Sequence, residues 1–225
     1  VVVSDEFPTY YPRRAIEAAS ESIPIQMYVA DSNGVIPMSW TESAHSTAHG
    51  FRRWIHANFS RCPETWPQKN PIPQNSNLMM SDELYSSIID NCSVKLPPFE
   101  WLWRCSEGGS VGRKALSAID VDHTVEPVRM AKGGRTTAKR KLANFLTNNL
   151  ERYHLDRNSV DNPAVSGLSP WLHFGHISSI EIVEHILNQN DWTPEHIDMA
   201  RKGAREGWWG LSQGVESFLD QIITW

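Results

Sequence analysis

The chain has 225 residues, of which 40% are apolar and 21% charged, and its formal net charge at pH 7 is −5. This composition is typical of a globular protein and argues against a disordered chain, while the acidic total argues against non-specific coating of nucleic acid, which needs an excess of Lys and Arg. No apolar run approaches the roughly 18–20 residues that a membrane-spanning helix requires, so we expect no membrane segment.

The first thirty residues predict a β-α-β unit. Residues 1–3 are a β-branched run, residues 13–22 follow Pro12 with helical character, and residues 25–30 read as a second strand. Such a unit implies a parallel sheet, and two strands alone do not make a stable α/β domain. We therefore expect further strands upstream of residue 1.

A second helix and a long Pro-rich stretch are predicted next. Residues 31–34 form a strong turn, and Thr41 is the expected N-cap of a helix that ends near Phe59. Residues 62–100 are rich in Pro, Asn and Ser, with apolar spacing around Leu84 for one short helix. This stretch is interpreted as a connector between domains.

The second half of the chain is predicted to be entirely helical. After Gly133-Gly134 the apolar spacing predicts helices at residues 138–150, 170–174, 180–188, 194–205 and 213–225. Their expected N-caps are Ser169, Ser178, Thr193 and Ser212.

The loop that enters the predicted helix at residue 170 has two interpretations. Free backbone N–H groups at a helix entrance suit a phosphate, and Ser166, Gly167 and Ser169 are small enough to let a diphosphate approach the backbone. Alternatively, Ser169 is a plain N-cap that satisfies the first helical turn. The spacing of these residues alone favours the interpretation of Ser169 as an N-cap.

Basic residues, histidines and cysteines give weaker signals. A run of basic residues with no acidic residue among them could bind phosphates along a nucleic-acid backbone, but we interpret it as a solvated helix face. The run contains Arg129, Lys132, Arg135, Lys139, Arg140 and Lys141. His45 and His49 lack a third ligand at a recognisable spacing, so we expect no metal site. The odd, widely spaced Cys62, Cys92 and Cys105 predict no disulfide framework and favour a reducing, cytoplasmic compartment.

Residues 166–178 carry the clearest motif of the chain, Ser-Gly-Leu-Ser-Pro-Trp-Leu-His-Phe-Gly-His-Ile-Ser. This run resembles the flavin-domain signature of the DNA photolyase and cryptochrome family, in its class II form. The similarity continues in the family's order at residues 3–8, 31–34, 152–153, 157–158, 207–212 and 216–220. It covers nearly the whole chain and is weakest at residues 62–96.

The resemblance implies an α/β plus all-α fold in three parts. Residues 1–60 would be the C-terminal part of a Rossmann-like parallel α/β, antenna-type domain, and residues 61–119 the Pro-rich connector. Residues 120–225 would be the N-terminal part of a helical domain that binds FAD. The family also implies a parent protein about twice this length.

The resemblance also implies roles for particular residues. Tyr153 and the segment Val165, Ser166, Gly167, Leu168 and Ser169 would hold FAD, with Ser166 and Ser169 on its phosphates. Val165 departs from the family, which has Thr or Ser there.

Three further positions would face DNA. Arg157 matches a position that contacts DNA in the family. Gln221 and Trp225, spaced i, i+4 on one helix face, match positions that line the pocket for a flipped-out pyrimidine dimer. The family has Glu in place of Gln221, and no residue is nominated as catalytic.

The implied function is light-driven repair of cyclobutane pyrimidine dimers in DNA by electron transfer from reduced FAD. The alternative is a cryptochrome-like flavin photoreceptor without repair activity. We expect a monomer in the cytoplasm, associated with the nucleoid in a bacterium, and the family allows a second, antenna chromophore of unspecified identity. The 225 residues alone are expected to bind FAD weakly or not at all.

Overall fold

The computed structural model describes residues 1–69, 71, 81–91, 117, 120, 122–126, 128 and 131–225. The chain divides into two compact units, one formed by Val1–Trp66 with Lys132–Trp225 and the other by Pro67–Ala131. Among the described helices, none is long and apolar enough to span a bilayer. The predicted boundaries at residues 60 and 120 stay predictions.

The chain begins with the predicted β-α-β unit. Strand β1 (Val2–Asp5), helix α1 (Tyr10–Ser22) and strand β2 (Met27–Ala30) follow one another. The strands are parallel, with Val2 opposite Met27 and Asp5 opposite Ala30. Several apolar side chains of this unit are exposed, among them Val3, Tyr11, Tyr28 and Val29.

Helix α2 spans Ala48–Asn58, and its N-cap differs from the prediction. Thr47 caps the helix, since its Oγ1 accepts the N–H of Gly50 at 3.1 Å. Thr41 instead ends a 3₁₀ turn, and its hydroxyl donates to the carbonyl of Ser43. The expected cap at Thr41 was therefore wrong by six residues.

The 3₁₀ segment Phe59–Thr65 continues directly from α2. Cys62 lies there with no solvent exposure, and burial raises the pKa of its thiol to about 11. Residues 61–66 belong to the first compact unit.

The second unit contains helix α3 (Asp82–Asp90), which agrees with the short helix predicted around Leu84. Most of the predicted connector, including Cys92 and Cys105, lies outside the described residues.

Five helices follow residue 131, and four of them match predicted helices closely. They are α4 (Arg135–Asn148), α5 (Tyr153–Asp156), α6 (Ser169–His173), α7 (Ser179–Gln189) and α8 (Gln213–Thr224). Helix α5 was not predicted separately, because its four residues are too short to show a period.

The helix predicted at residues 194–205 is absent. Two 3₁₀ turns, Pro194–His196 and Met199–Arg201, take its place. The Asp198 side chain accepts the N–H of Ala200, and the Asp198 N–H donates to the carbonyl of Trp208. These contacts, together with Gly203 at φ +88, stop a continuous helix from forming.

Helix α8 is the central element of the first unit and packs against α2, α5 and α7. Seven consecutive residues from Gly214 to Asp220 are buried. Glu216 among them accepts hydrogen bonds from the backbone N–H groups of Gly207 and Leu211, which ties the preceding loop to the first turn of α8. A buried carboxylate beside an N-terminal helical turn is also favoured by the helix dipole.

An aromatic cluster joins the two stretches of chain that make this unit. Phe59 from the N-terminal stretch packs edge-on against Trp209 at 4.6 Å, and Trp208 and Trp209 contact each other at 4.8 Å. Trp208 and Trp209 therefore serve in packing.

Candidate functional site

Tyr153 lies on α5 in the apolar core. Its ring packs edge-on against Phe145 of α4 at 5.9 Å and Phe218 of α8 at 5.2 Å. Burial raises the pKa of the Tyr153 phenol, and the positive charge of Arg157 partly opposes that effect. Arg157 lies four residues on, with its guanidinium 6.0 Å from the centre of the Tyr153 ring. The structure thus brings these two predicted residues together.

The loop before α6 has a buried anchor with polar groups around it. Leu168 is fully buried, and its N–H donates to the Ser166 hydroxyl oxygen at 3.4 Å. Leu168 is also the N-cap residue of α6, whereas Ser169 is already helical and makes no capping hydrogen bond. The cap interpretation of Ser169 was therefore wrong, and its exposed hydroxyl can meet another group.

Backbone donors in the same loop are open. Among the described residues, the N–H groups of Gly167 and Ser169 make no hydrogen bond. Gly167 has φ +59, a left-handed conformation that favours glycine. Val165 beside it is 47% exposed and offers no side-chain donor.

Lys141, which the sequence assigned to a solvated basic helix face, is a neighbour of this loop. A Cβ built on Gly167 would lie 2.8 Å from Lys141 Cε and 3.1 Å from its Nζ, so the lysine lies directly against the glycine. A signal for this position was present, because residue 141 falls between the buried Ala138 and Phe145 on the apolar stripe of α4. A lysine in such a stripe has a specific neighbour more often than a lysine on the solvent face.

Gln221 and Trp225 lie farther along α8. Gln221 follows Phe218 by three residues, so it is one turn beyond the contact with Tyr153. Trp225 is 76% exposed and lines a cavity of about 600 Å³ together with Phe51 and Trp54 of α2. None of the predicted flavin residues lines that cavity.

A buried ionic network on α8 was also missed. Asp220 accepts a 2.6 Å hydrogen bond from Arg52 of α2, and Arg205 lies 3.7 Å from its other oxygen. His56, one turn beyond Arg52, stacks on Trp208 at 3.9 Å. Burial, aided by the charge of Arg52, lowers the pKa of His56 to about 4. Arg52 and Asp220 are 168 residues apart, so no local sequence pattern could predict this contact.

The two histidines considered for a metal have other surroundings. The His45 ring packs against Phe51 at 5.3 Å and Trp54 at 5.6 Å. His49 lies beside Gly203. In the part of the chain that the structure describes, no group of three or more His, Cys, Asp or Glu side chains is arranged for a metal ion.

Comparison with curated proteins finds relatives that share one name, deoxyribodipyrimidine photo-lyase. The chain is 23% identical to the protein of Potorous tridactylus over 201 residues, covering 87% of this chain and 32% of that protein. It is 27% identical to the Arabidopsis thaliana protein over 209 residues and 26% identical to the Oryza sativa subsp. japonica protein over 212 residues. Each of these plant matches covers 88% of this chain and 36% of the plant protein.

These matches confirm the resemblance to photolyases that the motifs indicated. The chain spans about a third of the length of these relatives, between 32% and 36%. No protein-family model matches the chain.

Proposed function

We propose that this chain is part of a flavin enzyme that uses light to split cyclobutane pyrimidine dimers in DNA. The observation that carries the proposal is the similarity to proteins named deoxyribodipyrimidine photo-lyase, which extends over 87–88% of the chain. The polar loop before α6 supports it, because its donors suit the diphosphate of FAD.

FAD would be held by Tyr153 and the loop of Val165, Ser166, Gly167, Leu168 and Ser169. Ser169 is exposed, and its hydroxyl and the N–H groups of Gly167 and Ser169 are donors that make no hydrogen bond within the described residues. Glycine at position 167 lets a phosphate oxygen approach the backbone closely. When bound and reduced, FAD would supply light-driven electron transfer that opens the cyclobutane ring, with the electron returned to the flavin afterwards.

The protein's own part in the reaction is to orient the dimer and to bind the DNA. Arg157 would contact a phosphate of the DNA backbone, since a guanidinium pairs well with phosphate oxygens. The Gln221 amide would donate a hydrogen bond to a carbonyl of the extruded dimer. The exposed Trp225 indole would stack on the extruded dimer, since bases stack on aromatic side chains. Extrusion itself is favoured because a damaged pair costs less to extrude than an intact one.

Repair can be measured directly. Protein expressed from the complete gene would be loaded with FAD, reduced, and irradiated with blue light in the presence of a dimer-containing oligonucleotide. Recovery of absorbance at the pyrimidine band, in the light and not in the dark, is the expected result. Intact dimers after irradiation with reduced flavin bound would overturn the proposal.

A second candidate is a flavin photoreceptor without repair activity, and Gln221 is the observation that favours it. A neutral amide cannot donate or accept a proton as a carboxyl group can. The variant Gln221→Glu separates the two functions. If the protein is a repair enzyme, we expect dimer splitting in the unchanged protein and an equal or higher yield in this variant, whereas splitting that appears only in the variant would favour the photoreceptor.

A further inference from the structure

Lys141 differs from Arg135 and Lys139 of α4 in its surroundings. Arg135 makes a bidentate ion pair with Glu181 of α7, and Lys139 lies 3.6 Å from the same carboxylate. Among the described residues, no carboxylate lies within ion-pair distance of Lys141. Its charge is therefore not balanced by a carboxylate of the described residues.

The position of Lys141 is defined on two sides. Its ammonium lies 5.4 Å from the centre of the Trp171 ring, and Trp171 is fixed by a hydrogen bond from its Nε1 to the Lys132 carbonyl at 3.2 Å. On the other side lies Gly167, where any Cβ would come within 2.8 Å of Lys141 Cε. Glycine is thus favoured at position 167 for two reasons. The backbone there has a left-handed φ, and a larger residue would clash with the lysine.

The ammonium is consequently next to the open donors of the loop before α6. The N–H groups of Gly167 and Ser169 can each offer one hydrogen bond but carry no net charge. A diphosphate carries negative charge that neutral donors only partly balance. A lysine beside them supplies a charge-assisted hydrogen bond, which is roughly twice as strong as a neutral one.

We propose that Lys141 binds the diphosphate of FAD from the α4 side of the loop and so positions the flavin. This inference rests on the proposed function, because it assumes a flavin at Val165–Ser169. It predicts that the affinity for FAD, and not for a flavin without phosphates, depends on the charge at position 141.

The test is an equilibrium titration, followed by NMR, of the protein expressed from the complete gene, because the 225 residues alone are expected to bind FAD weakly or not at all. Chain labelled with ¹⁵N would be titrated with FAD and, separately, with riboflavin, while the amide signals of Ser166, Gly167 and Ser169 are followed. Lys141→Met removes the charge and keeps an apolar stem against Trp171. Lys139→Met, on the same helix but beside Glu181, is the matched control.

We expect FAD to shift the loop amides and Lys141→Met to raise the Kd for FAD about tenfold, as the loss of one charge-assisted contact implies. Riboflavin binding in both variants, and FAD binding in Lys139→Met, should change little. Equal FAD affinity in Lys141→Met and the unchanged chain would overturn the role of Lys141 and leave the flavin site standing. If FAD leaves the loop amides unshifted, the site itself is wrong and the role of Lys141 falls with it.

Discussion

His56 is a buried imidazole that the fold keeps neutral. Its Nδ1 accepts the N–H of Gly203 at 2.9 Å, and protonation would remove that acceptor. Burial lowers its pKa from 6.5 to about 4, so between these values the unfolded chain binds a proton that the folded chain does not. The stability from neutral His56 is therefore fully present above about pH 6.5 and is lost as the pH falls toward 4.

We expect the free energy of unfolding in urea to decrease by roughly 1–3 kcal/mol over this interval because of His56. His56→Phe keeps a ring on Trp208 but has no titrating group, so its stability should be lower at neutral pH and less dependent on pH. The exposed His185→Gln is the control and should follow the unchanged chain. A pH dependence of His56→Phe equal to that of the unchanged chain would contradict the prediction.

Asp220 is a buried carboxylate whose loss leaves a cation without its partner. Its side chain is 4% exposed and that of Arg52 is 13% exposed. Asp220→Asn keeps the shape but removes the charge, and we expect a loss of about 3–5 kcal/mol in the free energy of unfolding. The matched change Glu17→Gln, in the exposed pair with Arg13, should leave the urea midpoint unchanged. Equal effects of the two changes would show that burial of the Asp220 pair has no energetic consequence.

Helix α7 begins with a cap whose contribution can be isolated. The Ser178 hydroxyl oxygen accepts the N–H of Glu181 at 3.0 Å, as the sequence predicted, although the Glu181 carboxylate pairs with Arg135 and does not complete a capping box. Ser178→Ala should lower the free energy of unfolding by about 1 kcal/mol. Ser179→Ala, one residue on, removes a hydroxyl that makes no cap and is expected to have a smaller effect. Thermal unfolding followed by circular dichroism can compare the two variants.

The sequence predicts an element well when its own residues determine it. The parallel strands, α2, α4, α7 and α8 follow from apolar spacing, and the caps at Ser178 and Ser212 from local hydrogen bonds. Prediction failed at residues 194–205, where the backbone of Trp208 and the ring of His56 take the hydrogen bonds that a helix would need. His56 is 147 residues from Gly203, and Trp208 lies outside the predicted helix, so helical spacing could not reveal these contacts.

The candidate site was predictable only where neighbouring residues in the sequence determine it. Tyr153 and Arg157 are adjacent because they are one helical turn apart, and the motif marked the loop before α6. The motif did not show that Leu168 takes the N-cap position, which leaves the Ser169 hydroxyl open. Nor did it show Lys141, which reaches Gly167 from another helix. The assignment of FAD and DNA to these residues remains a prediction.

The first compact unit as a whole depends on contacts between Val1–Trp66 and Lys132–Trp225. The contacts that join these stretches include Arg52 with Asp220, His56 with Gly203, and Phe59 with Trp209. Residues 1–66 alone lack the partners that bury α2 and its 3₁₀ extension, and short helices are marginal without such packing.

We therefore expect a peptide of residues 1–66 to show no cooperative urea transition. Addition of residues 132–225 should restore helical circular dichroism beyond the sum of the two parts, and Asp220→Asn in the second part should weaken the association. A cooperative transition of the 1–66 peptide alone would contradict this view of the unit.

The two-stranded sheet has a consequence for how the chain behaves in concentrated solution. Within the described residues each strand pairs with one neighbour only, and Val3 and Tyr28 are more than half exposed. An uncovered strand edge with apolar side chains is a template on which another copy can add a strand. A charged residue at position 3 is therefore expected to lower self-association of the 225-residue chain, measured by light scattering at increasing concentration.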